Sequence, residues 1–238
     1  TAINLGAGLA TRGEQVLVVD LDPQANATSG LGIDRAGLEK STYHVMIGDT
    51  TIDEVVEGTA VRGLYVIPSN IDLAGAEIEL VSMMSREKRL SLALKPAVGE
   101  YDTVLIDCPP SLGLLTVNAL CAADEVLIPI QCEYYALEGV TQLLQNVDLI
   151  RSNLNPLLDV KGVVLTMFDV RTTLSNDVAR QVRKHFGDRA YETVIPRSVR
   201  LSEAPSYGEP IQDYDPEGRG ATAYRQLTTE FRKRHGRA

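Results

Sequence analysis

Six short runs rich in β-branched residues alternate along this chain with segments of helical pattern, and that alternation restricts the fold more than any other feature. The runs occupy residues 15–21, 64–68, 103–107, 125–130, 161–167 and 192–195. They are apolar on both faces instead of alternating with polar residues, as strands are when helices cover both sides of a parallel sheet. Helical patterns fill 3–12, 73–84, 86–98, 114–122, 137–153, 175–186 and 220–234, with Gly13 and Gly187 placed to end the helices before them. The pattern predicts one α/β domain over 1–238 with a doubly wound, mainly parallel sheet. The first helical segment opens without a preceding strand, although βαβ units feed their helices from buried strands.

Length and composition agree with a folded domain that needs no staple. The chain has 238 residues, 44% of them hydrophobic and 23% charged, which is ordinary for a globular protein large enough to bury a substantial core. Cys108, Cys121 and Cys132 form no CxxC pair and are odd in number, so reduced thiols are expected, and with them a cytoplasmic setting. No apolar run reaches the roughly 20 residues that span a bilayer. A net charge of −9 argues against coating nucleic acid with the whole surface, because such binding neutralises phosphates with Lys and Arg. Any nucleic-acid contact is therefore expected to be a local basic patch.

Two strand ends carry the chemistry. Val16-Leu-Val-Val-Asp20-Leu-Asp22-Pro-Gln places two carboxylates two residues apart at the C-terminal end of an apolar strand, the edge at which open α/β sheets bind ligands. Asp-Pro at such a place is also a common turn starter. Thr103-Val-Leu-Ile-Asp107-Cys-Pro-Pro-Ser repeats the pattern, in the manner by which P-loop NTPases present an acid to the Mg²⁺ of a nucleotide. Two acidic strand ends in one parallel sheet favour phosphate and Mg²⁺ chemistry over turns alone.

Six ordered blocks carry a family resemblance across nearly the whole chain. They are Thr1-Ala-Ile-Asn-Leu-Gly, Val-Asp20-Leu-Asp22-Pro-Gln, Leu73-Ala-Gly-Ala-Glu-Ile-Glu-Leu, Ile-Asp107-Cys-Pro-Pro-Ser-Leu-Gly, Gln131-Cys-Glu-Tyr-Tyr-Ala-Leu-Glu-Gly139 and Val194-Ile-Pro-Arg-Ser-Val-Arg-Leu-Ser-Glu-Ala-Pro205. Together they resemble the ParA/Soj family of chromosome- and plasmid-partitioning ATPases. The resemblance implies a P-loop NTPase-like fold and an ATP- and Mg²⁺-dependent switch, cytoplasmic and nucleoid-associated. In such a switch an ATP-bound homodimer binds DNA without sequence preference, and a ParB-type partner stimulates hydrolysis. In this family a Lys-Gly-Gly-Val-Gly-Lys-Thr-Thr loop precedes Thr-Ala-Ile-Asn. The chain begins just after that point, so it is expected to lack the first strand and the phosphate-binding loop, and to bind ATP poorly by itself.

Carried over position by position, the resemblance makes Asp22 the residue that orients the attacking water, with Asp20 beside it at the metal and phosphate edge. Asp107 becomes the acid that meets Mg²⁺ through water. Met167, Phe168 and the turn Pro196-Arg197-Ser198 become the adenine and ribose site, although the family often has Asn where Ser198 stands, and Met167 and Phe168 also suit a simple strand-end core. Arg171 and Arg200, with Arg197 close by, become the DNA contacts. The acids of 133–139 fit a helix N-terminus by charge alone, and the resemblance adds a place near the dimer face.

Three other readings share parts of this pattern. A MinD-like, membrane-cycling ATPase of the cell-division site needs a C-terminal amphipathic anchor, and Tyr224, Leu227 and Phe231 do share one helical face beside a basic run. Three apolar side chains are more in keeping with a terminal helix docked on its own core, so no stable membrane association is expected. An electron-transfer relative of the nitrogenase iron protein needs cluster cysteines, and only Cys108 stands near a nucleotide loop. A truncated chain acting solely as a binding or dimerising module is the third.

Overall fold

A computed structural model describes residues 1–134 and 136–236, leaving aside the side chains of 136–138, so part of the 133–139 block lies outside the described residues. The chain divides into two compact units. One comprises Ala2–Ala123 with Ala204–Pro210; the other comprises Thr1, Asp124–Glu203 and Ile211–Ala238.

The first unit runs α1 (Ala2–Ala10), β1 (Val16–Asp20), α2 (Asn26–Gly30), α3 (Thr42–Ile47), β2 (Glu57–Gly58), β3 (Leu64–Ile67), α4 (Leu73–Glu79), α5 (Arg89–Ala93), β4 (Thr103–Asp107) and α6 (Leu114–Ala122). Its sheet has the order β2-β3-β1-β4, and β1 pairs in parallel with β3 and β4. All five residues of β1 are buried, and the strand's period of two explains how. Val18 faces α1, where Gly6 lets the helix approach Leu64, Val18 and Leu105 closely. Leu17 and Val19 face the opposite way, into a core with Met46, Ile52, Leu73, Leu80 and Leu90. Helices thus cover both faces, as the doubly apolar strands require. β4 is an edge, with β1 as its sole partner strand among the described residues, and Val104 on it is 36% exposed.

A distant segment completes this unit. Gly208 and Gly32 both have positive φ, 68° and 81°, and a Cβ on Gly208 would lie 2.6 Å from the Gly32 Cα. The turn after α2 and the 204–210 segment therefore meet backbone to backbone, which only glycine permits.

The second unit runs β5 (Glu125–Gln131), α7 (Ala136–Asn153), β6 (Asp159–Phe168), α8 (Thr173–Phe186), β7 (Ala190–Pro196), α9 (Val199–Glu203), α10 (Ile211–Tyr214) and α11 (Arg219–Arg234). Its three strands pair in parallel in the order β5-β6-β7. α11 presents Tyr224, Leu227 and Phe231, all less than 10% exposed, to the unit's own core. The Glu230 carboxylate accepts the N–H groups of Glu192 and Thr193, both at 2.9 Å, and Arg234 stacks 4.0 Å from the Tyr191 ring while donating to the Ala190 carbonyl. The apolar face that a membrane anchor would need is spent on β7.

The α/β class and the parallel pairing agree with the sequence reading. The strands form a four-stranded and a three-stranded sheet, and β2, which has only two residues and no apolar pattern, pairs antiparallel to β3. The helix predicted over 73–84 yields to a tighter turn after Glu79, and that over 86–98 keeps its α-helical form only at Arg89–Ala93. Among the described residues no helix is long and apolar enough to cross a membrane.

Candidate functional site

In the first unit the parallel register sets Asp20 beside Asp107, so the two acidic strand ends do share one edge of the sheet. The Leu21 N–H donates to the Asp107 carbonyl at 2.8 Å, extending the pairing into the turn. Asp107 is partly buried. Burial raises the pKa of its carboxyl above the usual range, and the charge of nearby Asp22 pushes the same way. A buried strand-end acid with a second carboxylate nearby suits a divalent cation, and Mg²⁺ asks for few protein ligands because it keeps most of its waters.

Asp22 is half-buried in a tight turn. Its Oδ1 accepts the Gln24 N–H at 2.9 Å, and its carbonyl accepts the Ala25 N–H at 2.8 Å. Ala25 takes φ 53°, ψ 41°, a left-handed conformation that costs an L-residue roughly 1–2 kcal/mol. The chain bends sharply there and enters α2 at once.

Asp20 is placed differently from its neighbour. It is fully buried, and its Oδ2 accepts both the Thr28 N–H (2.7 Å) and the Thr28 hydroxyl (2.6 Å), while its Oδ1 accepts the Asp22 N–H at 3.2 Å. Burial pushes its carboxyl up to about 6, against the downward pull of these donors. Both of its oxygens accept hydrogen bonds from the protein, which tie the turn to α2. Sequence reasoning missed Thr28, Ser69 and Thr42, which surround it. The Thr42 hydroxyl donates to the Asp20 carbonyl at 2.8 Å, and Ser69 bridges Thr28 and Asp22. Ala-Thr-Ser-Gly after an Asp-Pro turn was a local hint of Thr28, but nothing local marks Ser69.

In the second unit the segments expected to hold the base lie side by side. Phe168 stands opposite Pro196 in the β6–β7 pairing, and the Arg197 N–H donates to the Phe168 carbonyl at 2.9 Å. Met167 has φ 53°, and the register of the two strands shifts just before Phe168. Met167, Phe168, Pro196 and Ser198 are all half-buried, which leaves them accessible at the strand ends.

All three candidate DNA arginines are exposed, and each meets a carboxylate. Arg171 forks onto Asp169, Nε to Oδ1 at 2.9 Å and Nη2 to Oδ2 at 2.7 Å, which holds the Asp169 carboxyl well below the usual range. Arg200 reaches Glu203 at 3.1 Å and lies over the Tyr214 ring. Arg197 stands 3.5 Å from Glu133.

Parallel sheets with acidic strand ends and helices on both faces make this a P-loop NTPase-like α/β protein. Residues 1–160 match the family model described as an AAA domain. The sporulation initiation inhibitor protein Soj of Bacillus subtilis is 56% identical over 97% of this chain and 91% of its own length. The chromosome partitioning protein ParA of Myxococcus xanthus is 50% identical over 98% and 83%. Among solved structures, a cobyrinic acid a,c-diamide synthase from Mycobacterium smegmatis, with bound ADP and magnesium, superposes with a TM-score of 0.86 at 37% identity, over 100% of this chain and 89% of its own. The chain belongs to the ParA/Soj family of chromosome-partitioning proteins.

Proposed function

We propose that this chain acts as an ATP-driven DNA-partitioning ATPase, cytoplasmic and nucleoid-associated. The observation that carries the reading is the shared edge of β1 and β4, where Asp20 stands beside Asp107 and Asp22 follows near enough for its charge to act on Asp107, in a family whose relatives bear partitioning names. Phosphoryl transfer asks the protein for position and charge neutralisation more than for covalent help. Asp22 orients the attacking water. Asp107 would hold Mg²⁺, and the ion would supply neutralisation of charge that develops on the phosphates. Asp20 shapes the turn. Met167, Phe168, Pro196, Arg197 and Ser198 receive the adenine and ribose of ATP.

β4 is an apolar strand with one open side among the described residues and a partly exposed Val104, an edge able to pair with a further parallel strand.

Arg171 and Arg200, aided by Arg197, supply the non-specific DNA contact of an ATP-dependent homodimer, and a ParB-type protein stimulates turnover. The buried apolar face of α11 favours this reading over membrane cycling. The test is DNA retention by the complete protein, with and without ATP, at moderate salt. Arg171→Glu combined with Arg200→Glu is expected to abolish retention and leave ATP-driven dimerisation intact. Unchanged DNA affinity in the double variant, or retention independent of ATP, refutes the proposal.

A further inference from the structure

We infer that Ser69, at the end of β3, and Thr28, in α2, are positioning residues that clamp the main chain of Asp22. The inference rests on the reading of Asp22 as the residue that orients the attacking water.

The argument is a closed ring of hydrogen bonds inside the first unit. The Asp22 N–H donates to Asp20 Oδ1 at 3.2 Å, and Asp20 Oδ2 accepts the Thr28 hydroxyl at 2.6 Å. Thr28 Oγ1 accepts the Ser69 N–H at 2.8 Å, and the Ser69 hydroxyl returns to the Asp22 carbonyl at 2.9 Å. Asp20, Thr28 and Ser69 are each fully buried. A hydroxyl has one proton to give, so the direction of each bond is set. The Thr28 proton goes to the Asp20 oxygen, which leaves a lone pair for the Ser69 N–H. The Ser69 proton goes to the Asp22 carbonyl, the alternative Asn70 carbonyl being at 3.5 Å. Both main-chain polar groups of Asp22 are thereby fixed by residues 47 and two positions away, while the donor to its carboxylate is the neighbouring Gln24 N–H.

Such a clamp has work to oppose. The turn carries the left-handed Ala25 three residues after Asp22, and releasing that residue to a relaxed conformation would swing the Asp22 carbonyl and carboxylate together. Displacing an orienting group by a fraction of an ångström weakens catalysis without weakening the binding of substrate groups that it does not touch.

Two measurements test the clamp. In the complete protein, Ser69→Ala is expected to lower kcat roughly tenfold with KM for ATP within about twofold, and Thr28→Val to do at least as much, whereas Thr28→Ser, which keeps the hydroxyl, recovers most of the loss. In the 238-residue chain, Ser69→Ala is expected to speed amide exchange at Gln24 and Ala25 on the order of tenfold while β1 and β4 exchange as before. An unchanged kcat, a kcat loss matched by a rise in KM, no recovery in Thr28→Ser, or unchanged exchange at Gln24 and Ala25 overturns the inference. Asp22→Ala separates its failure from that of the reading beneath it. If Asp22→Ala turns over ATP normally, the role of Asp22 fails. If Asp22→Ala is inactive and Ser69→Ala is normal in both measurements, the clamp alone fails.

Discussion

The turn after β1 and the loop after β6 both carry an aspartate two residues from a functional candidate, and they use it in opposite ways. Asp20 is buried, accepts two hydrogen bonds from the fully buried Thr28 and one from the half-buried Asp22, and has its carboxyl raised to about 6 by loss of water. Asp169 is half-buried, pairs with the largely exposed Arg171, and has its carboxyl lowered by that guanidinium. A polar group that folding takes out of water must keep its partners, since each buried donor or acceptor left unpaired costs about 1–3 kcal/mol. A solvated pair is exchangeable, because water or a phosphate can replace either partner at little cost. The first arrangement suits a turn that must hold one geometry, and the second suits a surface that must let go of an acid to take up an anion.

The contrast is largest in stability. Thr28→Val removes a donor to Asp20 and orphans the Ser69 N–H, so urea unfolding is expected to show a loss of about 3 kcal/mol, whereas Asp169→Asn, which breaks a solvent-screened pair, shifts the midpoint far less. Equal effects in the two variants would erase the distinction. Next comes the pH dependence, for which the two aspartates carry opposite signs. Asp20 has a folded pKa of about 6, above the unfolded value of 3.8, so the fold loses roughly 2–3 kcal/mol of stability from this group as pH rises from about 4 to 6, with no further change above that. Asp20→Asn is expected to flatten that limb in unfolding curves measured from pH 4 to 7. Asp169, with its pKa lowered, contributes stability above the unfolded value and loses it as pH falls, so Asp169→Asn is expected to lower the neutral plateau slightly and to flatten the acid limb, the two curves meeting at low pH. The smallest effect is local strain. Ala25→Gly relieves a left-handed alanine but frees the unfolded chain, and a net gain of about 0.5 kcal/mol in thermal unfolding is expected. A net loss would show that the turn draws its shape from Ala25 itself.

The legible part of this molecule was the part governed by local pattern. The strand ends at Asp20 and Asp107 were readable because an apolar run ending in an acid needs no distant partner to be recognised, and β4 and α6 fall at the predicted residues. α2, α3, α9 and α10 escaped because they have four to six residues and lack an apolar period. α2, Asn-Ala-Thr-Ser-Gly, is tied down through the Asp20 carboxylate, and α3 through the bonds of Thr42 to the ends of β1 and β3. Ser69 was invisible for a related reason, its partners lying 41 and 47 residues away. The ion pairs of Arg171 and Arg200 were closer to hand, two and three residues along the chain, but charge spacing says nothing of whether a pair is engaged until the backbone is known.

The meeting of Gly208 with Gly32 has a consequence for the order in which this protein comes into being. The ribosome makes Ala2–Ala123 of the unit that holds Asp22, then the 80 residues Asp124–Glu203 that belong elsewhere, before it supplies Ala204–Pro210. The turn that follows α2 therefore waits, through most of translation, for a neighbour not yet synthesised. Folding of the unit that holds Asp22 is expected to be completed only once residue 210 has cleared the exit tunnel, and a gene split after codon 123 would deliver that unit without one of its walls.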